Sequence, residues 1–468
     1  MSGALTMTPT TSAPDWRRDT GLRRVHLIGI GGMALSAIAA VLLERGTRVS
    51  GSDMEASSYT DRLAAAGARI HIGHDAANIT AADLVVFSSA VPADNPEMIR
   101  ARELGIPLMR RAEFIGRLLD ERVGIAIAGT HGKTTTTAML AVILKAAGRD
   151  PGYLVGAAVP DLDGNAAWGS GAEFVIEADE FDSAFLEYRP HIGVINHLEP
   201  DHLDYFGSFS RILDEFGQFA AAIDPDGLLL ARAGRPAIDE VIASAACPVL
   251  RFGENGDWRL SEFHGDGWGS SFKMLDPEGD AFAVHLALPG EHNALNALAA
   301  AATAAALGVA PTVAADVLSK FGGAERRFQL LAEARGIQIV SDYAHHPTEL
   351  RAALAAAKTV DPGRLWAVFQ PHLRSRTRTL FTDFTSAFSD ADRVTITEIF
   401  SPPGRETDDL SGNELAAAIE SPGAEFEATL EGCFARITAD AREGDLILVM
   451  GAGDINRLGE RLAGWVQR

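Results

Sequence analysis

A glycine-rich loop set between an apolar run and a helical pattern constrains this chain more than any other feature. The loop is Gly129-Thr130-His131-Gly132-Lys133-Thr134-Thr135, directly after the apolar run Val123 to Ala128. Glycines let the backbone curl, so that successive N–H groups and the positive end of the following helix face an anion. Lys133 is then placed to reach the outer phosphates of a nucleotide, and Thr134 offers a hydroxyl to Mg²⁺. The motif therefore predicts that the residues from Gly129 to Thr135 bind ATP.

A second glycine-rich loop lies upstream. Gly29-Ile30-Gly31-Gly32 follows the apolar run Val25 to Ile28 and precedes a helical pattern from Ser36 to Arg45. A strand from Arg48 then leads to Asp53, which gives the spacing of a dinucleotide-binding βαβ unit. This motif suits NAD or a UDP-linked sugar. A dehydrogenase has no use for the ATP loop, so the two phosphate sites favour a nucleotide-linked substrate together with ATP.

The length and net charge of the chain limit its number of domains and its binding partners. Its 468 residues are enough for several domains, and we expect three. The net charge of −22 argues against nucleic acid or an anionic membrane as a partner, because both repel an acidic protein. The N-terminal residues are rich in Thr, Ser and Pro and lack the apolar core of a signal peptide. We therefore expect a cytoplasmic protein with a disordered leader over residues 1–20.

Strand and helix patterns alternate along most of the chain, which predicts parallel sheets with helices on their faces. We place domains at residues 21–121, 122–324 and 325–468, because the pattern restarts with the ATP loop and again after an Ala-rich helix. Apolar runs at Ile337 to Val340, Leu365 to Phe369 and Leu446 to Met450 predict strands of the third domain. Alternating residues between Gly253 and Leu286 predict a peripheral antiparallel sheet.

Acidic residues and a histidine follow two predicted strands of the ATP domain. Glu177 comes directly after the run Phe174 to Ile176, and His202 lies in Asp201-His202-Leu203-Asp204 after the next strand. Hard oxygen ligands are what Mg²⁺ requires beside ATP. The alternative for such an acidic run is a solvated loop. Its position after a strand favours the metal site.

Two polar segments of the third domain also follow strands. One contains Asp342, His345 and His346, and the other contains His372 and Arg376. Paired histidines with an arginine suit binding of a carboxylate or a phosphate. The alternatives are a shared metal or a buried histidine that caps a helix.

In order along the chain, these motifs resemble those of the Mur ligase family between residues 25 and 453. The segments that carry the resemblance include Gly29-Ile30-Gly31-Gly32, Ser88-Ser89-Ala90 with Asn95-Pro96-Glu97, Glu177-Ala178-Asp179-Glu180, Gly290-Glu291-His292-Asn293 and Arg326-Arg327-Phe328-Gln329. The resemblance implies an α/β fold of three domains: a UDP-binding Rossmann-like domain, a central P-loop ATPase domain and a C-terminal Rossmann-like domain. It also implies that ATP activates a muramyl carboxylate as an acyl phosphate, which an amine then attacks.

The resemblance further implies roles for individual residues. The catalytic residues would be Lys133, His202, His345 and Arg376, and the Mg²⁺ ligands would be Thr134, Glu177 and His202. Asn293 and Asn296 would contact the adenine, and Asp342 the ribose, of ATP. The residues that bind the UDP-linked substrate would be Gly29, Ile30, Gly31, Gly32, Asp53, Ser88, Ser89 and His131.

Within the family, the segments are most similar to the ligase that joins L-alanine to UDP-N-acetylmuramate. The alternative is a recycling ligase that joins a preformed murein tripeptide to the same acceptor. For either ligase, a monomer–dimer equilibrium is an open alternative. Leu373 stands where some members of the family carry a basic residue, and Arg374 next to it is a candidate replacement. The run Asn196-His197-Leu198-Glu199 has one residue more than the matching run of the alanine ligase. His197 is therefore an alternative to His202 as the site histidine.

Overall fold

The structure, a computed structural model, describes residues 23–401 and 409–468. The chain divides into two units. The first comprises the residues up to Leu198 with Leu213–Arg259 and Leu298–Val317, and the second comprises Glu199–Ile212, Leu260–Ala297 and Leu318–Arg468. The leader predicted over residues 1–20 lies outside the described residues. The predicted domain boundaries near residues 121 and 324 stay predictions.

The first unit begins with a five-stranded parallel sheet. Its strands are β1 (Arg24–Ile28), β2 (Arg48–Asp53), β3 (Arg69–Ile72), β4 (Leu84–Phe87) and β5 (Leu108–Arg110), in the order β3-β2-β1-β4-β5. Its helices are Met33–Glu44, Ser58–Ala65, Pro96–Glu103 and Arg111–Leu119. The strand order reverses beside β1, and ligands of open α/β sheets bind at such a reversal. The first glycine loop leaves this strand.

A seven-stranded sheet in the same unit carries the ATP loop. Its strands are β6 (Val123–Ala128), β7 (Gly152–Val159), β8 (Gly164–Ala167), β9 (Glu173–Glu177), β10 (Ile192–Ile195), β11 (Leu228–Arg232) and β12 (Val249–Phe252). Their order is β12-β11-β10-β6-β9-β7-β8, with β8 antiparallel to β7. The helices nearby in sequence are Lys133–Ala146, Leu203–Phe206, Phe209–Ala221 and Pro236–Ile242. Strand β6 is central, so the ATP loop leaves from the middle of the sheet.

The two sheets of the first unit are joined by charged residues around Trp168. The guanidinium groups of Arg45 and Arg122 lie 3.8 Å and 3.9 Å from the centre of the indole ring. Arg45 also pairs with Glu121 at 2.6 Å, and Glu44 accepts a hydrogen bond from the backbone N–H of Trp168 at 2.6 Å. Cation–π contacts of this kind, here between a half-buried ring and two guanidinium groups of which Arg45 is buried, stabilise a fixed arrangement. The sheet of the first glycine loop and the sheet of the ATP loop are therefore held together.

The second unit contains two sheets. Strands β13 (Arg259–Asp266), β14 (Gly269–Leu275) and β15 (Ala281–Leu286) form a small sheet in which β14 and β15 are antiparallel, which confirms the prediction for this region. The larger sheet has the order β16-β17-β21-β18-β19-β20 and is parallel except for β16. Its strands are β16 (Gln329–Ala334), β17 (Ile337–Asp342), β18 (Arg364–Phe369), β19 (Arg393–Thr397), β20 (Glu425–Glu427) and β21 (Asp445–Met450).

Helices cover both faces of this larger sheet, each over its own buried cluster of apolar side chains. The helices of the C-terminal half are Glu291–Ala306, Pro311–Leu318, Pro347–Lys358, Arg374–Thr379, Phe381–Thr385, Gly412–Ala418, Leu430–Asp440 and Asn456–Val466. The predicted α/β fold is confirmed. Across the described parts of the chain, none of the helices combines the length and the apolar character needed to cross a bilayer.

Candidate active site

The ATP loop curls between β6 and the helix Lys133–Ala146, as the sequence predicts. Gly132 caps the helix at φ +80°, and Gly129 has φ +129°. A Cβ on Gly129 would lie 2.9 Å from the His197 carbonyl oxygen, so only glycine fits there. The Thr130 N–H donates a hydrogen bond to the same carbonyl at 2.8 Å. The backbone after β10 thus shapes the loop, while the His131 ring stacks on the His197 ring at 5.5 Å.

Lys133 is fixed over this loop by Glu180. Its ammonium group lies 2.7 Å and 3.0 Å from the two carboxylate oxygens of Glu180, and it donates to the Gly129 carbonyl at 2.6 Å. Burial alone would lower the pKa of Lys133, but Glu180 and the nearby carboxylates raise it above its usual value. The side chain is therefore charged at neutral pH. A fixed cation beside a glycine loop suits the outer phosphates of ATP.

Two of the predicted metal ligands lie together beside this loop. The Thr134 hydroxyl donates to Glu177 Oε2 at 3.1 Å, and the Gly156 N–H donates to Oε1 of the same carboxylate. A Cβ on Gly156 would lie 2.8 Å from Glu177, so β7 admits the carboxylate because it has glycine there. Hydroxyl and carboxylate oxygens are the ligands that Mg²⁺ prefers. The third predicted ligand, His202, belongs to the second unit.

The first glycine loop is fastened to the end of β2. The N–H groups of Gly29 and Ile30 donate to the Ser52 carbonyl at 2.8 Å and 3.0 Å. The Gly31 N–H donates to Asp53 Oδ2 at 2.8 Å. Because these three N–H groups already donate within the protein, they hold the loop in shape. A diphosphate would instead bind at the start of the helix Met33–Glu44. The sequence placed this helix start at Ser36, which is wrong by three positions because the glycine loop runs directly into the first turn.

Ile30, Ser88 and Ser89, also predicted to bind UDP, share this edge of the sheet, whereas His131 lies on the ATP loop. The Ile30 side chain is buried, so a ligand could contact only its backbone. A Cβ on Gly29 would lie 3.9 Å from Ser88 Cβ, which places the segment after β4 beside the loop. The Ser88 hydroxyl accepts a hydrogen bond from the Ala90 N–H at 3.3 Å, and Ser89 is exposed. The loop, Asp53, Ser88 and Ser89 thus lie where the strands end.

In the second unit, Arg376 and Asp201 form a buried ion pair. Arg376 Nε lies 2.9 Å from Asp201 Oδ1, and the two residues are 5% and 4% exposed. The remaining guanidinium nitrogens lie 3.3 Å from Nδ1 of His202 and 3.3 Å from Nδ1 of His372. Burial alone would raise the pKa of Asp201, but Arg376 and the nearby histidines hold it well below its usual value. The structure thus brings the predicted residues His202 and Arg376 together around an ionised carboxylate.

His346 caps the helix Pro347–Lys358. Its Nδ1 accepts a hydrogen bond from the Thr348 N–H at 3.4 Å, and its Nε2 lies 3.2 Å from the Pro200 carbonyl oxygen. Nδ1 also lies 3.0 Å from Glu199 Oε1, so the ring lies between a carboxylate and the Pro200 carbonyl. The capping alternative is confirmed for His346.

His345, by contrast, lies beside the Arg376 ion pair. Its Nδ1 is 3.1 Å from the Tyr343 carbonyl oxygen and 3.2 Å from Glu349 Oε2. Nδ1 therefore carries the proton, and Nε2 can accept a hydrogen bond. Burial lowers the pKa of His345 to about 4, with the charge of Arg376 acting in the same direction. The imidazole is neutral at neutral pH.

The pKa of His345 predicts an acid-sensitive stability. Between its unfolded value of 6.5 and its folded value of about 4, the unfolded chain binds more protons, so stability falls as the pH falls through this window. The full effect is about 3 kcal/mol, since each pKa unit is worth about 1.4 kcal/mol. We expect His345→Asn, which keeps a donor for the Tyr343 carbonyl, to flatten the loss of melting temperature between pH 6.5 and pH 4. An identical pH slope in the variant and the parent protein would contradict the assignment.

The residues predicted to contact adenosine lie in the second unit. Asn293 and Asn296 are buried, one turn apart, near the start of the helix Glu291–Ala306, and the Asn293 amide donates to the Pro289 carbonyl at 2.8 Å. Asp342 ends β17, and burial raises its pKa to about 6. Its two carboxylate oxygens accept hydrogen bonds from the backbone of Phe328 and Ala344 at 2.7 Å and 2.6 Å. The adenine and ribose contacts stay predictions.

Arg374 does not join the Arg376 cluster through its observed contacts. Its guanidinium donates to the Leu410 carbonyl and lies 3.5 Å from Glu398. Leu373 is buried at φ +68° and precedes the first turn of the helix Arg374–Thr379. Because Arg374 is neutralised by Glu398, the expectation that it replaces the missing basic residue gains no support from this geometry.

Two residues of the site lie outside the predicted set. Glu180, which fixes Lys133, is the third residue after Glu177, and Asp201, which pairs with Arg376, directly precedes His202. Each is acidic and lies in a segment already singled out, so a search for the carboxylate partners of the predicted Lys and Arg would have found them.

Three family models match the chain in order. They are described as "Mur ligase family, catalytic domain" at residues 24–123, "Mur ligase middle domain" at residues 127–304 and "Mur ligase, glutamate ligase domain" at residues 326–453. The chain therefore belongs to the Mur ligase family. This confirms the resemblance of the motifs and the three-domain architecture that it implied.

Individual relatives agree with the family models. The chain is 40% identical over 444 residues to UDP-N-acetylmuramate–L-alanine ligase of Clostridium acetobutylicum, covering 94% of this chain and 97% of the relative. It is 42% identical to the protein of that name from Paenarthrobacter aurescens, covering 94% and 96%. The crystal structure of UDP-N-acetylmuramate–alanine ligase from Thermotoga maritima has a TM-score of 0.81 at 30% identity, covering 95% of this chain and 99% of that one. A murein peptide ligase from Psychrobacter arcticus has a TM-score of 0.72 at 28% identity, covering 95% and 98%.

Proposed function

We propose that this chain joins L-alanine to UDP-N-acetylmuramate with ATP, releasing ADP and phosphate, in peptidoglycan biosynthesis. The relatives that share 40% or more of its residues over nearly its whole length carry that name. The observation that carries the chemistry is Lys133, which Glu180 fixes over the ATP loop. The first glycine loop in the same unit supplies a second phosphate site for the UDP-linked acceptor. ATP dependence is a property of this ligase family, and a reaction that consumes ATP and a UDP-sugar fits the cytoplasm.

The reaction requires two displacements. A carboxylate oxygen of the muramyl group attacks the γ-phosphorus of ATP, ADP leaves, and an acyl phosphate forms. The amine of alanine then attacks the acyl carbon, and the tetrahedral intermediate collapses as phosphate leaves with the C–O bond electrons. Lys133 would hold the phosphates, Arg376 would neutralise the amino-acid carboxylate or the acyl phosphate, and Nε2 of His345 would accept a hydrogen bond from the amine.

Thr134 and Glu177 would hold Mg²⁺ beside the ATP phosphates, with His202 as a further ligand. The support is the pairing of the Thr134 hydroxyl with the Glu177 carboxylate next to the phosphate loop. Held there, the ion would supply positive charge beside the transferred phosphate.

Glu177→Gln should raise the Mg²⁺ concentration that gives half-maximal activity by about tenfold or more, because one anionic ligand is lost. The measurement is phosphate release against Mg²⁺ at saturating substrates. Glu254→Gln, which changes an exposed carboxylate of the same unit, is the matched control. An unchanged Mg²⁺ requirement in Glu177→Gln would return this segment to the alternative of a solvated loop.

The same titration ranks the two candidate histidines. His202→Ala should raise the Mg²⁺ requirement, whereas His197→Ala should be mild, because His197 supports the ATP loop through its backbone carbonyl. The opposite ranking would identify His197 as the site histidine.

Mixing the protein with ATP, UDP-N-acetylmuramate and L-alanine tests the proposed function. We expect phosphate release that depends on all three compounds, with a product whose mass equals that of the acceptor plus alanine minus water. Release with a murein tripeptide but not with alanine would instead identify the recycling ligase. Size-exclusion measurements would show whether the protein is a monomer or a dimer.

A further inference from the structure

Glu97 is a buried carboxylate to which the proposed reaction gives no role. It lies in the first turn of the helix Pro96–Glu103, where Asn95 caps the helix end, and it is 0% exposed. Removing a charge from water is costly unless the charge is paired and hydrogen-bonded. The contacts that stabilise this carboxylate therefore indicate what it holds in place.

Four side chains from three other segments surround the Glu97 carboxylate. The Ser52 hydroxyl donates to Oε2 at 2.5 Å, and the Asn78 amide donates to Oε1 at 2.5 Å. The rings of His26 and His74 lie 3.5 Å and 3.6 Å from Oε2. Burial alone would raise the pKa of Glu97, but His26, Ser52 and Asn78 lower it to about 2, so the group is ionised at neutral pH.

Ser52 connects Glu97 to the first glycine loop. Its hydroxyl contacts the carboxylate, and its carbonyl accepts the N–H groups of Gly29 and Ile30. The next residue, Asp53, accepts the Gly31 N–H. All three loop hydrogen bonds thus end either on Ser52, which contacts Glu97, or on the next residue, Asp53.

The segment after β3 is fixed in the same way. The Asn78 amide that donates to Glu97 also donates to the Gly73 carbonyl at 3.1 Å, and the Gly73 N–H donates to the Asp53 carbonyl at 2.7 Å. The His74 ring contacts the Ser52 hydroxyl at 3.0 Å. One carboxylate therefore ties together two strand ends at the edge where a nucleotide would bind.

We propose that Glu97 is a positioning residue for the UDP-linked acceptor: it holds the ends of β2 and β3 so that the first glycine loop and Asp53 keep the geometry that a nucleoside diphosphate requires. The inference rests on the proposed function and deepens it, because it assigns the Asn95-Pro96-Glu97 motif to acceptor affinity. Glu97 acts through Ser52 and the loop rather than by touching the ligand.

Glu97→Gln tests the inference. An amide keeps one acceptor oxygen for Asn78 but presents an N–H group to Ser52, so the Ser52 hydroxyl must turn, and the negative charge that both hydrogen bonds and the rings of His26 and His74 engage is lost. We expect the dissociation constants of UDP and UDP-N-acetylmuramate, measured by calorimetry on the full-length protein, to rise about tenfold or more. The dissociation constant of a non-hydrolysable ATP analogue should not change. In kinetics, the KM for the acceptor should rise while kcat at saturating acceptor is kept.

Glu103→Gln is the matched control, since Glu103 lies on the same helix, is exposed and pairs with Arg100. Ser52→Ala removes the hydrogen bond from the Ser52 hydroxyl to Glu97 but leaves the carboxylate in place. This variant tests the inference if Glu97→Gln does not fold. We expect Ser52→Ala to weaken UDP binding as well.

Unchanged UDP affinity in a folded Glu97→Gln, or in Ser52→Ala, would overturn the inference. So would an equal loss of affinity for UDP and for the ATP analogue, because a purely structural role predicts both losses. A parent protein that binds neither UDP nor UDP-N-acetylmuramate would refute the proposed function instead, which keeps the two failures distinguishable.

Discussion

Lys133→Ala should abolish ligation, with a fall in kcat/KM of at least about a hundredfold, because a fixed cation at the transferred phosphate is lost. Two buried carboxylate oxygens hold this ammonium group, so no flexible surface lysine can replace it. The variant also leaves Glu180, only 2% exposed, without its partner, and repulsion between that carboxylate and the ATP phosphates adds to the loss.

Binding of UDP-N-acetylmuramate should survive in Lys133→Ala, since the first glycine loop lies on a different sheet. Lys145→Ala is the matched control: Lys145 lies on the same helix, is exposed and is 4.0 Å from Asp163. Steady-state phosphate release and calorimetry with the acceptor measure the two effects. Substantial turnover in Lys133→Ala, or an equal loss of acceptor affinity, would show that the two phosphate sites are wrongly assigned.

Arg376→Lys should lower kcat/KM by about a hundredfold or more, because an ammonium group cannot reproduce the planar fork of a guanidinium. Arg376 Nε is committed to Asp201, and its other nitrogens lie beside His202 and His372. A lysine that kept the Asp201 contact would leave these positions without a donor to an anionic substrate. Breaking a buried ion pair altogether, as in Arg376→Ala, costs about 3 to 5 kcal/mol and would also destabilise the protein.

Two neighbouring arginines on the same helix provide controls. Arg378→Lys changes an exposed residue that pairs with Asp409, and it should retain full activity. Arg374→Ala should be far milder than Arg376→Lys, because Glu398 and the Leu410 carbonyl already engage Arg374. Kinetics over a range of alanine concentrations give the KM for alanine in each variant. If Arg374→Ala raised the KM for alanine as much as Arg376→Lys, Arg374 would supply the contact that Leu373 lacks.

Local patterns were sufficient to predict the elements that carry the phosphate loops. The apolar runs before Gly29 and Gly129 form β1 and β6, and alternation predicted the antiparallel pairing of β14 with β15. These features depend on a few consecutive residues, so the sequence contains the whole signal. The strands Leu228–Arg232 and Val249–Phe252 were not predicted. Neither run leads into one of the phosphate-binding or metal-binding motifs on which the assignment of equally short strands relied.

Contacts between distant segments could not be predicted in the same way. Asp201 and Arg376 are 175 positions apart, and only the fold brings them together. The roles of His345 and His346 were equally open, although one local signal was available. A capped helix start has a characteristic pattern, which here is Pro347 directly after His346 and Glu349 three positions after it. The structure has that cap.

An isotope measurement tests most directly whether the ATP γ-phosphate activates the muramyl carboxylate. UDP-N-acetylmuramate labelled with ¹⁸O in its carboxylate is converted with ATP and L-alanine, and the released phosphate is analysed by mass spectrometry. The acyl-phosphate route predicts that one labelled oxygen leaves in each phosphate, because the bond broken by the amine is the acyl C–O bond. Phosphate without label, or label in AMP with release of pyrophosphate, would contradict an acyl-phosphate intermediate.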